Sequence, residues 1–320
     1  MTKPFRLLYL GMYWDYGDPA RDLSHEETNF HNSFRSWPKA EVTHFDFVEL
    51  EQLHGRDPMN QMLLEESKKG YDALFCVMYK DQLDEDVLHQ ISRQGTVTIA
   101  WGCDDHWRFD NFSSRWAPHF DYWVTTASSA VRRFGEIGIG EKVIKSQWAC
   151  ATDLYRPWLL KRDVDASFIG QPHSNRRELV SLIESQGIPL TVFGHGWGEG
   201  SRVSIGTVIE LFNRSKVNLN LSNASRGEHS QIKGRVFEVT GCGGLLLTDT
   251  ADDLETYFEL GKELVIYDSP QDLVEKARYY IRHDTEREQI AAAGLQRVLR
   301  DHTWHRRFDD IFAKAGVLGV

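Results

Sequence analysis

The stretch Gln231–Thr250, QIKGRVFEVTGCGGLLLTDT, concentrates residue types that handle a phosphorylated ligand. Lys233 and Arg235 stand at the start of a run that reads as a helix, and Glu238 lies about one turn further in. A helix N-terminus offers unsatisfied N–H groups and a partial positive charge, so it attracts anions. Two basic side chains there add full charges for a diphosphate. A carboxylate one turn in can accept both hydroxyls of a ribose. Gly243 and Gly244 crowd the same helix and join the candidate binding set. The pattern also fits a surface helix with ordinary charges and glycines that pack helix on strand.

Other candidates lie where strand-like runs end. Asp104-Asp105-His106 follows such a run, and adjacent carboxylates there suit orienting sugar hydroxyls or an acceptor nucleophile. They fit a pair of loop-capping aspartates equally. The spacing is not Asp-x-Asp, and Cys103 with His106 lacks a second ligand pair, so no metal site is expected. Gly194-His195-Gly196-Trp197-Gly198-Glu199-Gly200 is not GxGxxG, because Glu199 stands where the third glycine would be. Gly194, Gly196 and Trp197 still form a loop that lets backbone approach a ligand. Arg176 and Arg177 are a basic pair at a strand-to-helix turn after Gly170. Gly11 closes the first strand, and Tyr13, Trp14, Asp15 and Tyr16 follow.

RVFEVTGCGGLLLTDT and the following FELGKELVIYDSPQDLVEKARYYIRHDTEREQIAAAGLQRVLRDHTWHRR resemble the C-terminal domain of the CgeB-like (spore-maturation-type) glycosyltransferases. These are relatives of the retaining family 4 enzymes with the GT-B fold. SKVNLNLS, FGHGW, DASFIGQPHSNRREL and WGCDDHWRF extend the resemblance across most of residues 100–310. It implies a sugar transfer from a nucleoside-diphosphate sugar, with no cofactor and no metal. Glu238 would hold the ribose. Lys233, Arg235, Arg176 and Arg177 would hold the diphosphate, with the first two stabilising the leaving group. The glycine-rich loop would meet base or phosphate, and the aromatics after Gly11 would stack on a sugar. Arg235, Lys233, Asp104 and Asp105 are thus the expected catalytic set. One departure stands out: eight residues before Glu238, where many family 4 enzymes carry a first glutamate, stands Ser230, and Glu228 is out of register.

Two series of alternating strands and helices must position these residues. The first includes Phe5–Leu10, Val42–Val48, Tyr71–Met78, Thr96–Trp101, Tyr122–Thr126 and Val143–Trp148 as strands, and His25–Trp37 as a helix. Asp153–Asp165, DLYRPWLLKRDVD, breaks the rhythm and reads as a linker. The alternation then restarts at Ala166–Ile169. Strands alternating with helices predict parallel sheets covered on both faces. The expected fold class is α/β: two Rossmann-like domains facing across a cleft. By the resemblance, residues 1–155 are expected to form the N-terminal acceptor-side domain, joined by a last helix near 303–320, and residues 166–302 the nucleotide-sugar domain.

Composition narrows the rest. Lys plus Arg is 37 against 47 for Asp plus Glu, a net charge of −10, which disfavours binding by bulk attraction to nucleic acid or anionic membrane. No run approaches the ~20 apolar residues of a membrane helix. Four scattered cysteines read as reduced thiols, so a cytoplasmic protein is expected. The expected partners are the donor and an acceptor that is a glycan, a protein, a small molecule or, last in order, a nucleic acid. A GT-B sugar-nucleotide epimerase and a non-catalytic nucleotide-sugar-binding protein are the rival readings.

Overall fold

The computed structural model describes residues 5–224 and 230–318. Glu228 and much of the polar loop expected between Ser222 and Gln231 fall outside them. The chain divides into two units. Unit 1 comprises the residues up to Gln147 together with the segment from Trp304 onward, and unit 2 runs from Trp148 to Thr303.

Unit 1 is built on six strands: β1 (Phe5–Leu10), β2 (Ala40–Phe45), β3 (Ala73–Cys76), β4 (Val97–Gly102), β5 (Tyr122–Thr125) and β6 (Val143–Lys145). They pair in the order β2-β1-β3-β4-β5-β6, all parallel. Unit 2 holds β7 (Val164–Ile169), β8 (Leu190–Phe193), β9 (Ser215–Asn220), β10 (Leu246–Thr248) and β11 (Val265–Ile266), ordered β11-β10-β9-β7-β8 and again all parallel. The inner strands are apolar along their length because helices cover both faces. Leu74, Phe75 and Cys76 of β3 are fully buried, as are Ala166 of β7 and Val217 of β9. Two α/β units with parallel sheets are the architecture expected from the alternating pattern.

Strand order also locates the crevices. In unit 1 the chain leaves β1 for β2 on one side and returns to β3 on the other. In unit 2 it does the same around β7, with β8 on one side and β9 on the other. Ligands in open parallel sheets bind beyond the carboxyl ends of strands at such a reversal.

The last helix, Trp304–Lys314, belongs to unit 1. Its apolar stripe enters an aromatic core: Phe308 stacks on Phe34 with centroids 3.8 Å apart, and Phe312 meets Phe5 at 5.1 Å. The Trp304 indole N–H donates to Asn29 Oδ1 at 3.1 Å, which satisfies a polar atom that burial would otherwise strand.

Candidate functional site

At the carboxyl end of β7 the chain turns at Gly170 and enters the helix Arg176–Ser185. β8 ends beside it and opens the glycine loop. Gly194 has φ +138°, and a Cβ there would collide with the Gly170 carbonyl, so only glycine lets the two post-strand turns touch. The Trp197 indole N–H donates to that same carbonyl at 2.6 Å. Arg177 donates to the Gly196 carbonyl at 2.6 Å and lies over the Trp197 ring. The loop is therefore pinned from both sides. Gly194→Ala is expected to cost roughly 1–3 kcal/mol through backbone strain and the displaced turn. Urea unfolding measures this, and an unchanged midpoint would show that the close approach is dispensable.

Across the reversal, Arg235 in the first turn of the helix Gly234–Gly241 donates to the Ile169 carbonyl at 2.8 Å. Its Nε lies 3.5 Å from the Glu238 carboxylate one turn on, and its guanidinium faces the Phe212 ring. Glu238 is buried, while Arg235 keeps a quarter of its side chain exposed. Lys233 occupies the N-cap position in extended conformation, and its side chain makes no capping hydrogen bond to the helix. The N-terminal end of the helix thus carries Lys233 and Arg235 at the point where strand order reverses.

Three further residues set the field. Arg176 is buried and donates to the carbonyls of Gln171 (3.0 Å), Leu221 (2.6 Å) and Asn223 (3.1 Å). Burial, then the charge of Arg235, pulls its pKa down to about 10. His173, in the turn between Gly170 and Arg176, has a buried Nδ1 with no hydrogen-bond partner among the described residues. Burial, then Arg176 and Lys233, pushes its pKa down to about 4. Asp249, beyond β10, accepts the Ser222 N–H at 2.8 Å, and burial raises its pKa. The edge as a whole offers concentrated positive charge and an unsatisfied imidazole, an arrangement that favours a polyanion.

The His173 shift makes a stability prediction. Its folded pKa lies below the ordinary unfolded value of about 6.5. The fold therefore favours the neutral ring. That contribution is complete above pH ~6.5 and drains away as pH falls toward 4. His173→Asn is expected to lessen the loss of denaturation midpoint between pH 7 and 5. An identical loss in both proteins would rule out this source.

Several residues singled out in the sequence sit elsewhere or do other work. Arg176 is buried and ties loops together, with its Nη1 and Nη2 groups donating to three carbonyls. Gly243 and Gly244 follow the helix and precede β10, at the amino edge of the sheet. A Cβ on Gly244 would lie 2.7 Å from Asn218 Nδ2, so that glycine serves close packing. In unit 1, Asp105 is enclosed: Trp123 Nε1–H (2.9 Å) and Ser113 Oγ–H (2.5 Å) donate to its carboxylate. It holds the turn after β4 and is not open to an acceptor. Asp104 beside it is only half-buried, and its carbonyl takes the Trp107 and Arg108 N–H groups. Gly11 follows β1, its carbonyl accepting His44 Nε2–H at 2.8 Å. His173 went unmarked in the sequence because a single histidine in a turn carries no spacing signal. Its nearness to DASFIGQPHSNRREL's arginines was the one hint.

Residues 175–313 match a family model described as glycosyl transferase-like. No curated protein matches the sequence. Among solved structures, Anabaena HepE in complex with UDP and glucose aligns over 98% of this chain and 100% of its own, with TM-score 0.65 and 13% identity. Sucrose-phosphate synthase from Thermosynechococcus elongatus gives TM-score 0.61 at 9% identity, covering 97% of this chain and 98% of that one. AviGT4, a glycosyltransferase involved in avilamycin A biosynthesis, gives 0.60 at 13% identity, covering 98% and 97%. These solved structures share the two-unit α/β fold of this chain, and the family match covers the segment 175–313 of it. The matched segment includes the helix that carries Arg235 and Glu238. No described helix is long and apolar enough to cross a membrane.

Proposed function

We propose that this chain is a CgeB-like retaining glycosyltransferase that moves a sugar from a nucleoside-diphosphate sugar to an acceptor hydroxyl, with no metal on the diphosphate. The observation that carries the reading is the gathering of Lys233, Arg235 and His173 around one helix N-terminus at the β7/β9 reversal. In such a transfer the bond from the anomeric carbon to the diphosphate breaks, and negative charge grows on the leaving oxygen. Preorganised cations and helix N–H groups stabilise that charge most as it develops. The acceptor hydroxyl attacks the same face, and its proton passes to the departing phosphate. Four free cysteines support a cytoplasmic setting.

Glu238 is assigned to the ribose hydroxyls. Glu238→Ala is expected to weaken nucleotide binding by about 1–3 kcal/mol, from lost charge-assisted hydrogen bonds. Calorimetry measures it, and unchanged affinity would reduce Glu238 to a partner of Arg235. The reading itself is tested by a thermal-shift panel of UDP, GDP, dTDP and ADP, followed by their sugars. UDP comes first because HepE is seen with UDP and glucose. A shift with one nucleotide supports the proposal, and no shift with any would defeat it. Turnover of the donor without acceptor would instead favour the epimerase reading.

A further inference from the structure

Unit 1 holds a group of donors that the nucleotide chemistry leaves unused. Glu27 and His31 lie four residues apart on the helical segment Glu26–His31, and His44 projects from β2. One ligand atom from each lies within 4.8 Å of the other two. His31 Nδ1 is 2.7 Å from Glu27 Oε2, and the His31 and His44 rings are 4.3 Å apart between centroids. Tyr9 stacks on both rings, at 5.6 and 5.4 Å, and fixes their planes. Glu27 is buried and both imidazoles are half-buried.

Three features go beyond a chance hydrogen bond. The segment Glu26–His31 is a π-helix, a rare wide turn that is frequent at functional sites. His44 Nε2 faces the Gly11 carbonyl at 2.8 Å. A carbonyl only accepts, so the proton sits on Nε2 and Nδ1 keeps its lone pair. A ring held in this way by backbone is how metal-binding histidines are oriented. The third feature is the donor set, two imidazoles and one carboxylate, which suits zinc and similar ions. Magnesium and calcium prefer oxygen throughout.

We propose that Glu27, His31 and His44 bind one divalent transition-metal ion of the zinc class. Around such an ion with bonds of about 2.0–2.2 Å, tetrahedral donors stand roughly 3.3 Å apart. The wider separations close by small side-chain rotations, and the His31–Glu27 pair opens as the ion replaces the proton they share. This site lies in unit 1 and takes no part in holding the diphosphate.

The test uses the full chain, stripped with a chelator and dialysed. Calorimetric titration with Zn²⁺ is expected to give one equivalent, and Co²⁺ is expected to give visible d–d absorption bands. Excess Mg²⁺ is expected to leave both unchanged. His31→Ala and His44→Ala should each weaken Zn²⁺ binding about 100-fold or more, with His44→Gln as the alternative if the alanine variant misfolds by circular dichroism. His89→Ala removes one ring of the separate His89–His119 pair, whose nitrogens are 3.3 Å apart, and should leave the equivalent intact. No uptake by the wild-type chain would overturn the proposal. So would an equivalent that survives loss of His31 and His44, or one that disappears with His89.

Discussion

Replacing Arg235 with alanine is expected to lower kcat by about 10²-fold or more while changing donor KM much less. The guanidinium sits at the helix start, held by the Ile169 carbonyl at 2.8 Å and near the Glu238 carboxylate at 3.5 Å. Its geometry is set before substrate arrives. A fixed cation of this kind gains most as charge develops on the leaving diphosphate, and removal of one such group costs roughly 3–4 kcal/mol in other enzymes. Arg235→Lys should recover only part of the rate, because an ammonium cannot keep a carbonyl and a phosphate oxygen on one planar fork. Steady-state kinetics with the nucleotide chosen by the panel gives the split. A loss confined to KM would make Arg235 a uniform binding residue.

Phe308→Ala is expected to destabilise unit 1 by about 3–5 kcal/mol. The ring is fully buried, stacks on Phe34 at 3.8 Å, and also meets Trp37 at 5.7 Å and Trp304 at 5.6 Å. Its removal leaves a cavity in an aromatic cluster that cannot collapse without moving the last helix. Guanidinium unfolding followed by tryptophan fluorescence is the measurement. A cost below 1 kcal/mol would mean that the helix Trp304–Lys314 frays from the unit without penalty.

Much of the scaffold was legible because burial on both faces writes a plain signal. The apolar runs Phe5–Leu10 and Val143–Trp148 became β1 and β6, the latter ending early at Lys145. Tyr71–Met78 shortened to Ala73–Cys76, where regular pairing with β1 and β4 is confined, although Asp72 still bonds Arg6 and Val97 through its backbone. The π-turn within His25–Trp37 was not readable, because π and α turns share nearly the same apolar stripe over six residues. At the site, the helix carrying Lys233, Arg235 and Glu238 showed in charge and periodicity. The inequality of Asp104 and Asp105 did not, because it depends on Trp123 and Ser113 arriving from other elements. Nor did the role of Gly244, where a packing glycine and a ligand-approach glycine look alike in sequence. The Glu27, His31 and His44 group is spread over two elements brought together by β1–β2 pairing, and no local spacing announces it.

A nucleoside diphosphate is proposed to bind at the β7/β9 reversal of unit 2. A crystal structure of the full chain with the tightest-binding nucleoside diphosphate tests it most directly. Diphosphate oxygens are expected within about 3 Å of Arg235 and Lys233 and of the first N–H groups of the helix Gly234–Gly241, with the ribose at Glu238. A nucleotide bound away from that helix, for instance beside Asp104 in unit 1, would contradict it.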